Sequence, residues 1–243
     1  MKFNRKIKLL ILILLSSSVV LIYNKTNNHN INYTTIGDSL SLGVDSYGKQ
    51  DYGYSDYIKD YLIEINKLKT YSKKYTNKSM FINDIKISLI TNEKMSYTDT
   101  KDNLKLILRN TDILTMSIGI DDLLYKITLL SEKTDSNLNV IIDEIKISFD
   151  ELITEIKKIY RGQIYIIGYY DMQNSDEFHK KAIKKLNNIY QENSSVIYIS
   201  TEEISKNPNI FLSNPRSYYP NYKGYRLIST KIIDKITKKL EKS

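Results

Sequence analysis

Four short apolar runs recur along the chain, Ile31 to Ile36, Thr111 to Ile118, Gln163 to Gly168 and Ser195 to Ser200, with helical patterns between them. Each is short and strand-like, and Gln163 to Gly168 is of the type buried on both faces. Tyr54 to Leu68 instead places Tyr57, Ile58, Tyr61, Leu62 and Ile65 on one stripe, which is helical spacing. Asp102 to Arg109, Leu138 to Tyr160, Glu177 to Tyr190 and Asn221 to Leu240 follow the same rule, with Gly162 expected to stop the long helix before it. Strands separated by helices of this length predict crossover units and a parallel sheet covered on both faces, a three-layer α/β sandwich. Ligand crevices in such sheets lie beyond the carboxyl ends of the strands. The turns at Ser39, Gly119 and Gly168 all project to that edge.

The N-terminus has a different pattern. Lys2, Arg5, Lys6 and Lys8 precede an apolar segment from Leu9 to Ile22, broken only by Ser16, Ser17 and Ser18. A basic flank before an apolar core predicts export with the flank left inside. No small-x-small cleavage site follows, which favours a signal anchor over residues 1–23 rather than a cleaved signal peptide. A polar linker at 24–30 and one domain over 31–243 complete the expected organisation. The expected location is therefore extracytoplasmic, held at the cell membrane by an N-terminal hydrophobic helix, with secretion after cleavage as the alternative.

Charge and composition narrow the chemistry. Removing those four basic residues from the net charge of +8 leaves +4, and the remaining lysines are spread beside acids, as in Glu155-Ile156-Lys157-Lys158. That is a solvated helix face, with no nucleic-acid motif behind it. The absence of cysteine excludes disulfides, thiolate metal sites, a cysteine nucleophile and an N-terminal lipoprotein anchor.

Directly after the first apolar run comes Gly37-Asp38-Ser39-Leu40-Ser41-Leu42-Gly43, which puts a serine on a strand-to-helix turn, a common way to present a nucleophile. Ser117-Ile118-Gly119-Ile120-Asp121-Asp122 follows the second run, and Tyr219-Pro220-Asn221-Tyr222-Lys223-Gly224-Tyr225 opens the last helix. These three stretches, in this order, resemble blocks of the SGNH, or GDSL, hydrolase family: Gly-Asp-Ser-Leu, Gly-x-Asn-Asp and Asp-x-x-His-Pro-Asn-x-x-Gly-Tyr. The resemblance runs from Ile31 to the C-terminus. It implies a flavodoxin-like sandwich with a mainly parallel five-stranded sheet, ester hydrolysis on lipid, carbohydrate or peptidoglycan acyl groups, and no cofactor. It makes Ser39 the nucleophile, with its own N–H as one oxyanion donor.

Other positions depart from the pattern. Met80, within Lys78-Ser79-Met80-Phe81, stands at the oxyanion glycine, Asp121 at the oxyanion asparagine, Tyr219 at the histidine and Arg216 at the aspartate. A tyrosine with a pKa near ~10 is a poor base at neutral pH. An arginine has donors and no acceptor with which to orient an imidazole. An ionised Asp121 puts negative charge where negative charge must develop, and one lost oxyanion donor alone costs roughly 2.7–4 kcal/mol. Of the two histidines, His29 lies in the linker. His179 begins the helix after the third run and reads more readily as a solvated helix residue than as a relocated base. Lys223 holds a helix-start position that usually faces solvent.

Asp38, Gly119 and Asp122 complete the candidates for the cleft edge. The carboxylates Asp38, Asp121 and Asp122 suit a hard cation by type, but read better as turn and helix caps, and no metal is expected. Tyr169, Tyr170, Tyr218, Tyr219 and Tyr225 are candidate ligand-cleft aromatics, against a default of core packing. The expected function is binding of a cell-envelope glycan, acyl or lipid ligand, or a protein partner, by a hydrolase-fold protein with impaired catalysis. An active esterase using Ser39 with a non-standard base, and a purely structural envelope module, are the alternatives.

Overall fold

The first strand, β1 (Ile31–Gly37), is buried at Ile31, Tyr33 and Ile36 and occupies the middle of the fold. The computed structural model describes residues 30–93, 103–171, 175–213 and 219–241. The expected anchor helix, His29, Arg216 and Tyr218 lie outside the described residues. Among the described residues no helix is long and apolar enough to cross a membrane.

After β1 come a four-residue helix α1 (Ser39–Leu42), then α2 (Tyr54–Glu64), β2 (Leu68–Thr76) and α3 (Ile82–Thr91). Next are α4 (Leu104–Arg109), β3 (Ile113–Ser117), α5 (Ile120–Thr128) and the long α6 (Asp135–Ile159). The chain continues through β4 (Ile164–Ile167), α7 (Glu177–Glu192), β5 (Val196–Ile199), α8 (Glu202–Lys206), α9 (Pro208–Phe211) and α10 (Tyr222–Leu240). The strands form one five-stranded sheet of order β2-β1-β3-β4-β5, and every pairing is parallel. α2 packs with α10 over one face, while α3 and α7 pack with α6 over the other. The three-layer α/β/α sandwich inferred from the apolar runs is the architecture found.

The order reverses at β1, since the chain passes from β1 to β2 on one side and returns to β3 on the other. In doubly wound sheets such a switch opens a crevice beyond the strand ends. Ser39 follows β1 and Asp121 follows β3, so both stand at that switch.

Five elements were not anticipated: β2, α3, α5 and the short α8 and α9. The helix expected to run to Leu68 stops at Glu64, and β2 begins where it should have ended. β2 reads Leu-Lys-Thr-Tyr-Ser-Lys-Lys-Tyr-Thr and lies half exposed at the sheet edge, where lysines are tolerated and no apolar run is needed. The stop at Gly162 is displaced, because α6 already ends at Ile159 and caps on Tyr160.

Gly37 is the residue this edge depends on most sterically. It pairs with Ser117 across β1 and β3 and has φ of 122°, a conformation open to glycine and costly for other residues. A Cβ there would stand 1.8 Å from the Ser117 carbonyl oxygen, a clash with backbone that no rotamer relieves. Gly37→Ala is therefore expected to lower stability by at least about 3 kcal/mol, or to prevent folding. Urea unfolding of the two chains checks this, and equal midpoints would contradict it.

Candidate active site

Ser39 is the first residue of α1, placed there by the Gly37 turn and by Asp38 as N-cap, whose Oδ1 accepts from Leu40 N at 3.0 Å. Gly43 ends the helix in the left-handed region, its N–H donating to the Ser39 carbonyl at 3.0 Å. Ser39 itself is half-buried, and among the described residues its Oγ has no hydrogen-bond partner.

Beneath Ser39 lies a buried polar network that closes the turn onto the sheet. Asp38 Oδ1 also accepts from Ser117 Oγ at 2.6 Å, and Asp38 Oδ2 accepts from the Tyr169 hydroxyl. Ser117 Oγ accepts from Ser41 N at 3.0 Å, and Ser41 Oγ donates to Ile36 O at 2.9 Å. Tyr54 links Ser41 and Thr35 through its hydroxyl, at 2.8 and 3.0 Å. The carboxyl ends of β1, β3 and β4 are thus joined through one carboxyl group. Burial pushes Asp38 up to about 7, although its hydrogen bonds from Ser117, Tyr169 and Leu40 pull the other way.

The oxyanion side is arranged differently. Asp121 and Asp122 open α5, and each reaches back to the start of α3. Asp121 Oδ2 accepts from Met80 N at 2.9 Å, and Asp122 Oδ2 accepts from Ile82 N at 3.0 Å. The Met80 N–H, the backbone donor expected to face a developing oxyanion, therefore points at a carboxyl oxygen. Burial raises both carboxyls above their ordinary range, Asp122 to about 6, against the pull of these N–H groups.

Over this floor lies a cavity of about 410 Å³ lined by Ser39, Asp121, Tyr169, Tyr170, Tyr219 and His179, with Leu40, Ile120, Leu124 and Ile183 as its apolar wall. A larger hollow of about 610 Å³ sits beside the residues leading into β5, at the opposite edge, and brings together no nucleophile and base. Ser39, Asp121 and Tyr219 converge in the smaller cavity, as do Tyr169 and Tyr170.

Several expected cleft residues are elsewhere. Asp38 and Gly119 are buried beneath the cavity, and Met80 is buried with only its N–H turned to Asp121. Asp122 is spent on Ile82, and Tyr225 is buried with its hydroxyl on the Val44 carbonyl at 2.7 Å. Lys223 is exposed beside Tyr222 and does not line the cavity. The carboxyl groups of Asp38, Asp121 and Asp122 each accept N–H or O–H donors, and among the described residues no metal-binding cluster forms.

His179, read from the sequence as a solvated helix residue, is half-buried and lines the cavity. It enters the cavity with Asp176, whose Oδ1 accepts from His179 Nδ1 at 2.7 Å and from His179 N at 2.8 Å. The signal was present as Asp-x-x-His across Asp176 and His179, the spacing expected of the last block but found one strand earlier.

A parallel sheet of order 2-1-3-4-5 with a serine on the turn after β1, over a cavity at the switch point, defines a doubly wound, flavodoxin-like α/β fold. More narrowly, the chain has the SGNH/GDSL hydrolase fold. It is similar in structure to a lipase from a goat rumen metagenome, at 19% identity and a TM-score of 0.66, covering 84% of this chain and 97% of the lipase. It is also similar to an acetylxylan esterase from Geobacillus stearothermophilus, at 15% identity and a TM-score of 0.59, covering 86% of this chain and 96% of the esterase. A variant of that enzyme, described as an acetyl-xylooligosaccharide esterase, aligns at 15% identity with a TM-score of 0.62 and the same coverage, 86% and 96%. No family model and no curated protein matches the sequence.

The buried carboxyl at the base of the site has a measurable signature. The folded chain keeps a proton on Asp38 up to about pH 7, whereas an unfolded chain releases it near ~4. Stability must therefore fall as pH rises through that window, by up to about 4 kcal/mol from this group. Asp122 acts in the same direction up to about pH 6. Asp38→Asn keeps an acceptor for Leu40 and Ser117 and is expected to flatten part of the decline. Urea unfolding at pH 4.5 and 7.5 checks this, and an unchanged slope in the variant would contradict it.

Proposed function

We propose that this chain is an extracytoplasmic, membrane-tethered protein of the SGNH/GDSL fold that binds a short acyl ester carried on a cell-envelope glycan, and whose ester hydrolysis is disabled at the oxyanion site. The observation that carries the reading is the hydrogen bond from Met80 N to Asp121 Oδ2 at 2.9 Å, within the cavity that Ser39 and Asp121 share. A tetrahedral intermediate on Ser39 needs donors at its oxygen. Here one backbone donor is already taken, and the side chain that should supply another accepts instead.

The ligand class follows from the lining. About 410 Å³ is room for a small acyl group with part of a sugar, the apolar wall suits the acyl group, and Tyr169, Tyr170 and Tyr219 suit a sugar face. The esterases of similar fold act on acetylated xylan or its oligosaccharides, which supports a glycan-borne acyl group in this one. Tethering rests on the basic and apolar N-terminal segment, Lys2 to Ile22.

Asp121→Asn tests the disabled step. The asparagine oxygen can still accept from Met80 N, and its NH2 adds a donor where the carboxyl group now accepts from Ser79. Turnover of 4-nitrophenyl acetate by the full-length chain in detergent is expected to be at or near background, and to rise at least about 100-fold in Asp121→Asn. That gain should vanish when Ser39→Ala is added. Comparable turnover with and without the Asp121 substitution would sink the proposal.

A further inference from the structure

The last block lacks its histidine and aspartate, and the cavity would be left without a base if Tyr219 were its only replacement. We propose that Asp176 and His179, from the start of α7, form the general base of the Ser39 cavity in their place. This rests on the reading of that cavity as an acyl-ester site.

Three observations converge. His179 and Asp176 line the same cavity as Ser39, although α7 follows β4 and Ser39 follows β1. The imidazole is held, since a carboxylate can only accept, so the 2.7 Å contact between Asp176 Oδ1 and His179 Nδ1 fixes the proton on Nδ1. Nε2 is then left with its lone pair free, the tautomer a base requires. Asp176 stays ionised, pulled down to about 2 by the backbone N–H and the ring of His179. Lys133 lies 3.5 Å from its other oxygen.

Helix capping alone accounts for Asp176, which takes the His179 N–H as any N-cap does. It does not account for the ring contact or for the cavity-facing side chain, which is 29% exposed. The rest of the lining offers no better base. Asp121 is engaged by Met80, and burial drives Tyr169 and Tyr170 well above the ordinary tyrosine range, where they keep their protons.

With an oxyanion donor restored, as in Asp121→Asn, the chemistry balances without a cofactor. Nε2 takes the Ser39 hydroxyl proton as Oγ bonds to the acyl carbon, and the imidazolium returns it to the departing alcohol oxygen as the ester C–O bond breaks. Water then attacks the acyl-serine, its proton passing to Nε2 and on to Ser39 Oγ as the acid leaves. No hydrogen bond joins Ser39 to His179 in the structure. The relay closes through a bridging water or on substrate binding, as in many unliganded sites.

Fluorophosphonate labelling of Ser39 in the full-length chain, followed from pH 5 to 9, tests the base apart from ester turnover. The labelling rate of the unaltered chain should rise with pH through a single ionisation. His179→Gln should lower the plateau at least about 100-fold and remove that ionisation. Added imidazole should restore part of the rate to His179→Gly, a rescue that a purely structural role would not permit. Equal plateaus, an ionisation that survives His179→Gln, or no labelling of Ser39 in either the unaltered chain or Asp121→Asn would overturn the proposal. A null result for turnover in Asp121→Asn with slowed labelling in His179→Gln would defeat the oxyanion reading and leave the base standing. Raised turnover in Asp121→Asn that is indifferent to His179→Gln would do the reverse.

Discussion

The carboxyl group of Asp38 is the point on which the functional edge depends. It accepts from Leu40 N within its own turn, from Ser117 at the end of β3, and from Tyr169 just beyond β4. Three parallel strands therefore end in register around one fully buried group. Such a group is costly to bury and costlier to leave unpaired, so its partners are fixed by its presence. With Gly37 fitted against the Ser117 carbonyl, the turn that carries Ser39 has little room to take another path.

That constraint explains which parts of the hydrolase pattern persist. Asp38 holds the strand ends, and Asp122 ties α5 to α3 through Ile82 N. In the last block Asn221 caps α10 through Lys223 N and Gly224 N and donates to the carbonyls of Ile210 and Leu212. Gly224 admits the Phe211 carbonyl, which would lie 2.5 Å from a Cβ, and Tyr225 reaches Val44. Each of these has work in the fold. Of the positions that differ, 121 and 219 line the cavity, whereas Met80 is buried and Arg216 lies outside the described residues. Ser39 belongs to neither group, for its Oγ makes no hydrogen bond among the described residues and still faces the cavity.

The sequence was legible where one physical signal dominated. β1, β3 and β4 are buried on both faces and β5 is half-buried at the sheet edge, yet all four announce themselves as apolar runs, and the long helices carry clean stripes. β2 was not legible because an edge strand with three lysines needs no apolar run; α5 begins at Gly119 with no side-chain cap, and the start of α3 is held in part by Asp122 from a distant element. At the site, the blocks located Ser39, Asp121 and Tyr219, since turn chemistry is local. The burial of Asp38 and Gly119 was hidden because it depends on strands brought together from residues 31 to 170. His179 was hidden for the same reason, since nothing within α7 says that its first turn leans over the turn after β1.

The replacement at position 121 is chemically narrow. Asparagine and aspartate have nearly the same shape, and either can accept the Met80 N–H that Asp121 Oδ2 receives at 2.9 Å. A carboxylate is not required for that contact, and burial disfavours its charge. An asparagine at 121 could make the same contact with Met80 N while also offering a donor, whereas Asp121 accepts. A loss of packing would have spread through the neighbouring strands, yet the network around Asp38 is complete and the cavity remains open. The steric and electrostatic demands of the scaffold around the cavity are thus met, with Asp121 accepting at a position where the fold would equally admit a donor.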